Sequence, residues 1–498
     1  MSAKLTVEAA AFRSNAAGTG RFARLFPGLN PQGQGVDPGT IVGWLTSLGT
    51  ALVDDIDGNN FPFPAGNHPT LPAGYTYLGQ FIDHDLTLDP TLLPDTQIDI
   101  TTLNNFRSPA LDLDNLLGFG PGVDPVLYEP PSAGSRAGRL RTAAGLAGDP
   151  DGIAHDLPRL GDGTPLIGDH RNDENLLVGQ LHTAFITFFN KVFTDVAAGT
   201  IADLGPVGGS TSEKTARIAR WHYQWIVLKD FLPRIVEGTI LDYVVANGPQ
   251  HYTPEAGSPY MPVEFAGAAY RLGHSMVRER YRVNGTFGPG NQAATLLNLF
   301  EFSSTVGNVP VPSNWFINWN RFFEIDPGTT VNLARRLDPY SAPTLHQLPI
   351  RAPVSLAVRN LLRGWSWGLP SGQSIATHIG VQILTPEQIL ADTGGQRCKE
   401  AGVVEPFNFH NDTPLWYYIL KESETLHRGE RLGPVGSTIL AEVFVGLLRA
   451  DGESFLSINP GWTPTLPTAT AGQFTMADLF RYLPPEALNP NGGDTGPV

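Results

Sequence analysis

The sequence predicts a mainly α-helical fold in which one large domain carries long irregular loops and little β structure. Apolar residues recur three or four residues apart in many segments, which is the pattern of amphipathic helices, whereas strand-like alternation is scarce. The 55 Gly and 43 Pro are spread along the 498 residues and predict irregular connections between these helices. Polar clusters that suggest chemistry are scattered from position 80 to position 363, which favours a single domain built around one site.

Helices are predicted where the apolar periodicity is clearest. They cover residues 77–86, 175–197, 213–245, 265–281, 355–364, 386–393, 416–424 and 434–448. The Gly-, Pro- and Asn-rich stretches 118–151 and 284–312 are predicted to be loops. We expect residues 1–70 to form an N-terminal extension packed on the core, residues 71–485 to form the main domain, and residues 486–498 to form a flexible tail.

Composition excludes several classes of partner and cofactor. A formal net charge of −15 makes nucleic acid and anionic membrane surfaces poor partners. Cys398 is the only cysteine, so any metal must be held by His, by carboxylates or by a porphyrin rather than by a cysteine cluster. The apolar runs are too short to predict a membrane span. The first residues lack a basic region followed by an apolar stretch, which predicts a cytoplasmic protein, or one secreted without a cleaved signal peptide.

The first polar cluster is residues 79–86, with the sequence GQFIDHDL, inside a predicted helix. A helix turns about 100° per residue, so Gln80 and His84 share one face and Asp83 and Asp85 point to either side of the imidazole. A solvent-facing polar turn is the simpler interpretation. The apolar neighbours, however, indicate that the group is drawn inward, where ionisable side chains need partners or a metal.

Two further clusters contain a cation and a histidine. In residues 168–175, GDHRNDEN, Arg171 and Glu174 lie three apart at the start of a predicted helix, where a surface ion pair is the simpler interpretation. In residues 270–277, YRLGHSMV, His274 follows Gly273 in an apolar helix, where a histidine satisfied by the core is the simpler interpretation. The glycine, however, permits a flat group to approach closely.

Together these three clusters resemble the animal-type haem peroxidases of the peroxidase–cyclooxygenase superfamily. The resemblance extends to the segments KDFLP at 229–233, LAVRNLLR at 356–363, GLP at 368–370 and RLGP at 431–434. Their order and spacing match the family from about residue 75 to about residue 455. The resemblance implies one helical haem peroxidase domain of the bacterial type, which has no disulfides.

On the proximal side, the resemblance implies haem b held by four residues. His274 would ligate the haem iron, and Asn360 would accept a hydrogen bond from the other nitrogen of that ring. Arg271 and Arg363 would bind the haem propionates.

On the distal side, the resemblance implies three catalytic residues. His84 would take a proton from hydrogen peroxide and return it to the leaving oxygen. Arg171 would stabilise the negative charge that develops as the O–O bond breaks. Gln80 would hold the distal water or a small anion.

The same resemblance implies covalent haem. Asp83 and Glu174 fall where the family makes ester bonds to haem methyl groups. Asn175 stands where some members carry a methionine that adds a third bond, so we expect no third bond here.

A calcium site is also implied. Asp85 matches a calcium ligand of the family, and residues 107–115 resemble its calcium loop, in which Ser108, Asp112 and Asp114 would offer side-chain oxygens and Ala110 a backbone carbonyl. Asp114 replaces the hydroxyl residue that is usual in the family. An ordinary acidic turn is the alternative interpretation.

The resemblance predicts a haem peroxidase that reduces hydrogen peroxide and oxidises halide, thiocyanate or small aromatic donors through a ferryl intermediate. The rival enzymatic interpretation is a fatty-acid oxygenase of the same superfamily, of the cyclooxygenase or α-dioxygenase kind. Those enzymes place a radical-forming Tyr three residues before the proximal His, whereas here Arg271 occupies that position and Tyr270 is one residue too early. A haem-storage or structural role is a third interpretation, and the pairing of His84 with Arg171 argues against it.

Overall fold

Helices make up most of the structure, a computed structural model that describes residues 20–54, 66–91, 93, 96–149, 152, 154–201, 204, 209–255, 258–287, 293–350 and 352–489. The predicted fold class, mainly α with little sheet, is confirmed. The longer helices, labelled in chain order, are α1 (Pro38–Ala51), α2 (Gly74–Leu86), α3 (Leu176–Ala197), α4 (Thr211–Ile226), α5 (Gly238–Asn247), α6 (Leu356–Ser366), α7 (Gly372–Ile379), α8 (Leu415–His427) and α9 (Pro434–Ala450).

Short helical segments connect these long helices. The short α-helices span Asp114–Leu117, Ala143–Leu146, Leu232–Ile235, Val263–Gly267, Gly273–Met276, Leu296–Glu301, Pro386–Ile389, Ala401–Val404, Phe455–Ile458, Met476–Tyr482 and Pro485–Leu488. Turns of 3-10 helix cover Ile100–Thr102, Pro125–Leu127, Pro131–Arg136, His170–Asp173, Ala269–Leu272, Ser313–Trp315, Trp319–Arg321 and Pro343–His346. A turn of π-helix covers Val227–Phe231.

The strands form small sheets at the edges of the helical core. They are β1 (Gly20–Ala23), β2 (Asn67–Pro72), β3 (Asn104–Asn105), β4 (Met261–Pro262), β5 (Arg280–Tyr281), β6 (Ala294–Thr295) and β7 (Leu333–Arg335). Strand β1 pairs antiparallel with β3 and parallel with β4. The pairs β2–β7 and β5–β6 are antiparallel.

Helix α3 is the centre of the core. Its first eleven residues are all buried, which is the pattern of a helix enclosed on every side. It packs against α2 on one side and α4 on another, while α1 packs on α6 and α5 on α9. The Asn175 side chain caps the start of α3 by accepting a hydrogen bond from the Val178 backbone N–H at 3.0 Å, a contact that stabilises a helix by about 1 kcal/mol. The cap fixes where the chain turns from the second polar cluster into the core.

Two of the predicted helices are interrupted. The predicted helix 213–245 is divided into α4, a π turn, a short helix and α5, and its main break is at Val236, whose φ of −109° and ψ of 165° are extended. The predicted helix 265–281 is three short segments followed by β5, with a break at Ala268, whose φ of −143° is not helical. The predicted helix 386–393 ends at Ile389. The other predicted helices form, with ends shifted by up to three residues.

The predicted loops and termini hold more structure than the sequence indicates. Residues 118–151 contain two 3-10 turns and the helix Ala143–Leu146, and the segment 284–312 contains β6 and the helix Leu296–Glu301. Of the predicted N-terminal extension, β1 and α1 join the core, while residues 1–19 and 55–65 lie outside the described residues. The helix Pro485–Leu488 reaches into the predicted tail, of which 490–498 is not described. A search of the described helices for a membrane-spanning segment finds none.

Candidate active site

Helix α2 supplies the first residues of the site. It packs against α3, against the turn His170–Asp173 and against the short helix Gly273–Met276, so it joins all three polar clusters. His84, in its last turn, is buried, and its Nδ1 lies 2.8 Å from Oδ1 of Asn172. Burial first, and then the positive charge of Arg171, lower the pKa of His84 to about 3. The imidazole is therefore neutral, and the interpretation of this cluster as a solvent-facing turn is wrong.

Arg171 lies on the 3-10 turn His170–Asp173, and Asp169 caps that turn by accepting from the Arg171 backbone N–H at 2.9 Å. The same carboxylate accepts from the guanidinium, at 3.1 Å from Nε and 2.8 Å from Nη2. Nη2 also donates to the backbone carbonyls of His84 and Thr87. Burial alone would raise the pKa of Asp169, but the charges of Arg107 and Arg171 outweigh it and hold that pKa well below its ordinary value. A fixed cation therefore lies beside the end of α2.

Gln80 and Glu174 meet across the gap between the first and second clusters. Gln80 Nε2 lies 3.4 Å from Glu174 Oε2, and Gln80 Oε1 accepts from Asn175 Nδ2 at 3.1 Å. Burial raises the pKa of Glu174 to about 7, although Arg171 opposes the shift. Because Arg171 pairs with Asp169 and the partly buried Glu174 contacts Gln80, a surface Arg171–Glu174 ion pair does not describe this cluster.

Asp83 lies between the distal and proximal residues. It accepts a hydrogen bond from Thr87 Oγ1 at 3.0 Å. Burial raises its pKa, and the charges of both Arg171 and Arg271 act against that rise. A single carboxyl therefore feels a cation from the distal cluster and a cation from the proximal one, which places the two clusters on either side of one space.

The proximal cluster is centred on His274, in the short helix Gly273–Met276. Its Nδ1 lies 2.9 Å from Nδ2 of Asn360 on α6, and burial together with Arg271 lowers its pKa to about 3. A Cβ atom placed on Gly273 would meet no other atom within 4 Å, so the space beside the ring is open. The neutral ring can act as a ligand.

The pairing of Asn360 with His274 agrees with the prediction, but the amide is turned the other way. The amide nitrogen, rather than the predicted oxygen, faces Nδ1, and the Asn360 Oδ1 atom is buried without a partner. A half-turn of the amide would let that oxygen accept from the ring N–H, as a metal-bound histidine requires. The orphaned oxygen therefore fits a histidine that binds iron through Nε2.

Three partly buried arginines lie on the proximal side. Arg271 donates from Nε to the Ala266 carbonyl at 2.8 Å, and Arg363 donates from Nη1 to Asp89 at 2.7 Å. Arg359 precedes Arg363 by one helical turn on α6, a spacing visible in the sequence, yet sequence reasoning missed it. Burial and then neighbouring cations lower the pKa of Arg363 to about 10, and burial lowers the pKa of Arg271 and of Arg359. This concentration of positive charge fits a dianionic ligand such as the two propionates of haem.

A second group of charged side chains includes Asp85, the residue that follows His84. Asp85, Asp112 and Asp114 offer carboxylate oxygens that all lie within 4.8 Å of one another. Ser108 Oγ donates to Asp112 at 2.8 Å, and Ala110 lies in the same loop. Burial first, and then the charges of Asp112 and Asp114, raise the pKa of Asp85, whose Oδ1 is buried without a partner. The predicted calcium ligands Asp85, Ser108, Asp112 and Asp114 are thus brought together, and an unpartnered oxygen fits a hard cation.

Arg107 connects this acidic group to the distal cluster. Its guanidinium donates from Nη1 to Asp114 at 3.1 Å and from Nε to Asp169 at 2.8 Å. All three side chains are buried. Asp169 in turn holds Arg171, so an unbroken series of ion pairs runs from the acidic group to the distal cation.

Comparisons with known proteins identify the family of the chain. Residues 147–457 match the sequence model of the animal haem peroxidase family, which is more than half of the chain. Peroxidase mlt-7 of Caenorhabditis elegans is 24% identical over 58% of this chain and 37% of its own length. Probable oxidoreductase PXDNL of Homo sapiens is 29% identical over 64% of this chain and 21% of its own length. The chain thus spans well under half of these curated relatives.

Solved structures share the fold. Peroxidase A from Dictyostelium discoideum has a TM-score of 0.61 at 16% identity, with 96% of this chain and 94% of that chain covered. A fatty acid alpha-dioxygenase of Arabidopsis thaliana has a TM-score of 0.57 at 14% identity, with 87% and 74% covered. The fold is therefore that of the peroxidase–cyclooxygenase superfamily. The chain belongs to the animal haem peroxidase family, and this family implies haem as the cofactor.

Sequence reasoning missed two polar side chains in the site, Asn172 and His182. Asn172 Nδ2 lies 2.9 Å from His182 Nδ1, and Asn172 Oδ1 faces His84. The signal for Asn172 was its place next to Arg171 in the second cluster. His182 is a histidine buried within the largely apolar helix α3, and a buried polar side chain of this kind needs a partner.

Proposed function

We propose that this chain is a haem peroxidase that reduces hydrogen peroxide and takes electrons from small donors such as halides, thiocyanate or phenols. The observation that carries the proposal is that the buried, neutral His84 contacts the fixed cation Arg171, whose Nη2 donates to the His84 carbonyl, in a chain that also holds the His274–Asn360 pair. A base and a cation on the distal side serve peroxide chemistry, whereas binding alone needs neither.

Haem, when bound, would supply the redox chemistry that reduces peroxide. His274 would hold it from below through Nε2, while Asn360 orients the ring through Nδ1. Arg271 and Arg363 would neutralise the propionates, with Arg359 adding a third charge on the same side.

The chain's own residues would move the proton. His84 would accept it from the inner oxygen of peroxide at Nε2 and return it to the departing oxygen, which therefore leaves as water. Arg171, held by Asp169, would lower the energy of the charge that forms between these two transfers. Gln80 would orient the distal water or a small anion, because its amide is fixed between Glu174 and Asn175.

We infer that Asp83 and Glu174 are the sites of ester bonds to haem. Both carboxyls are partly buried with raised pKa values, and such groups are costly in the charged form. Each ester would replace a C–H bond of a haem methyl by a C–O bond, a two-electron oxidation for which hydrogen peroxide, reduced to water, would be the oxidant. The ester would remove the charge of the carboxyl and fix the porphyrin.

We infer that the acidic group next to His84 binds calcium, which would be held by Asp85, Ser108, Asp112 and Asp114, with the carbonyl of Ala110 as a further ligand. The mutual repulsion of three neighbouring carboxylates, two of them buried, supports it.

A fatty-acid oxygenase is the second candidate, and the likeness in fold to the alpha-dioxygenases favours it. Tyr270 is buried, stacks on Phe265 with ring centroids 4.7 Å apart, and has no hydrogen bond from its hydroxyl. Arg271 occupies the position where the oxygenases carry their tyrosine.

The experiment that separates the two candidates is a pair of assays on the purified haem protein. Optical spectra are recorded after addition of hydrogen peroxide, with and without a phenolic donor, and oxygen uptake is measured with a long-chain fatty acid. We expect a rapid spectral change with peroxide that the donor reverses, and no oxygen uptake. Oxygen uptake without donor oxidation would replace the peroxidase proposal by the oxygenase one.

A further inference from the structure

Asn172 makes two hydrogen bonds that link the distal histidine to a second histidine. Its Oδ1 lies 2.8 Å from His84 Nδ1, and its Nδ2 lies 2.9 Å from Nδ1 of His182 on α3. All three side chains are buried. The His182 ring also packs edge-on against Phe81, with centroids 5.9 Å apart. The three groups therefore form a short chain with no solvent between its members.

The chemistry of an amide gives this chain a direction. An amide oxygen only accepts a hydrogen bond and an amide nitrogen only donates one, whereas a neutral imidazole has one nitrogen of each kind. Oδ1 of Asn172 facing Nδ1 of His84 requires a proton on that nitrogen, which leaves the Nε2 lone pair of His84 free. Nδ2 facing Nδ1 of His182 requires that nitrogen to be bare, so the His182 proton lies on Nε2.

The opposite orientation of the amide would reverse both rings. His182 would carry its proton on Nδ1, and His84 would carry its proton on Nε2, where it could donate but not accept. His84 can act as a base only in the first arrangement. The structure has the first arrangement, with Oδ1 of Asn172 toward His84, and the His182 ring is the other partner of the amide.

We propose that Asn172 and His182 are positioning residues that hold His84 in the tautomer with its proton on Nδ1 and its lone pair on Nε2. The inference rests on the proposed function, in which His84 is the distal base. The backbone also supports it, because the Asn172 N–H donates to the Asp169 carbonyl at 3.1 Å. One turn of chain, His170–Asp173, thus sets the position of Arg171 and the tautomer of His84 together.

The test compares Asn172→Leu, Asn172→Asp and His182→Phe with the wild-type haem protein. Leu has the shape of Asn but makes no hydrogen bond, whereas Asp can accept from His84 but cannot donate to His182. The first readout is the C–O stretching frequency of the carbon monoxide complex of the reduced protein. A bare Nε2 leaves bound carbon monoxide without a donor, and an Nε2–H lowers the stretching frequency by donating to it. The second readout is the rate constant for reaction with peroxide.

We expect Asn172→Leu to lower the stretching frequency and to slow the peroxide reaction by about tenfold or more, while haem stays bound. His182→Phe should shift the frequency in the same direction by less, because the amide is then free to turn. Asn172→Asp should keep the wild-type frequency, since the carboxylate still accepts from Nδ1–H. A matched control is Asn190→Leu, a buried amide on α3 that bonds the Leu140 backbone and should change neither readout.

The proposal is overturned if Asn172→Leu has the wild-type frequency, whether or not its rate falls, because a slower reaction alone would indicate a structural role. It is also overturned if Asn190→Leu shifts the frequency as much as Asn172→Leu does. Failure of the proposed function looks different. In that case wild-type protein reacts with peroxide no faster than His84→Ala, while the infrared comparison still reports the tautomer.

Discussion

The distal and proximal halves of the site balance their charges in different ways. On the distal half, Arg171 lies in a series of ion pairs with Asp169 and Arg107, and the His84 ring has a fixed partner. On the proximal half, burial lowers the pKa values of Arg271, Arg359 and Arg363, and neighbouring cations lower the pKa of Arg363 further. The Asn360 Oδ1 atom is buried without a partner. On the distal half, the charges of Arg107, Asp169 and Arg171 are paired with one another within the protein. The proximal half carries a concentration of positive charge and an unpartnered amide oxygen, and these fit a bound anionic group.

This difference predicts which substitutions affect haem retention and which affect chemistry. Substitutions on the proximal half remove contacts to the cofactor itself. Substitutions on the distal half leave the cofactor bound, because the distal residues are held by one another.

The largest effect is expected for His274→Ala. Loss of the proximal ligand should strip or displace the iron, so the purified variant should contain almost no haem, measured as the ratio of Soret to protein absorbance. Asn360→Ala serves as the comparison, because it removes only the partner of the ring and should retain most of the haem. An unchanged high-spin spectrum in His274→Ala would mean that another residue binds the iron.

For His84→Ala we expect the reaction with peroxide to slow by at least about a hundredfold, which is the usual scale for loss of a positioned base. Haem content should equal that of the wild type, since the distal half does not hold the iron. Stopped-flow spectroscopy measures the rate. An equal rate would remove His84 from the mechanism and would erase the contrast between the two halves.

Substitution of Asp83 and Glu174 tests the proposed ester bonds to haem. Acidified acetone should leave part of the haem on the wild-type chain, with more retained after exposure to peroxide, and should release it from the Asp83→Val, Glu174→Gln double variant. Each single variant should retain an intermediate share, because each removes one of two bonds. Complete extraction from peroxide-treated wild-type protein would contradict the ester bonds and favour the oxygenase candidate.

The smallest effect is expected at the acidic group formed by Asp85, Asp112 and Asp114. Wild-type protein should bind about one calcium per chain and unfold at a temperature several degrees higher with calcium than after chelation, because a ligand bound only to the folded state stabilises it. Asp85→Asn should bind less calcium and show little difference between the two conditions. Elemental analysis and thermal unfolding measure both quantities. Wild-type protein that is fully active without calcium would remove the ion from this account.

The sequence predicted the members of the site better than their contacts. His84, Arg171 and His274 lie in motifs whose residues are close along the chain, and the resemblance to the family pointed to Asn360 and Arg363. Asn172 and His182 could not be identified in this way, because their roles depend on a contact between two clusters that are far apart in sequence. The break at Ala268 was hidden for a related reason. Its neighbours are apolar at helical spacing, and periodicity alone does not show where tertiary packing divides a helix.

Arg107 is shared between two sites, and sharing has a thermodynamic consequence. It donates to Asp114 in the acidic group and to Asp169, the partner of Arg171. A cation bound at Asp114 competes with Arg107 for that carboxylate and so alters how tightly Arg107 holds Asp169. Any such coupling is reciprocal, so a ligand that draws Arg171 toward the distal space must change the affinity of the acidic group for its ion by the same factor. A titration of one site would then show whether the other site is occupied.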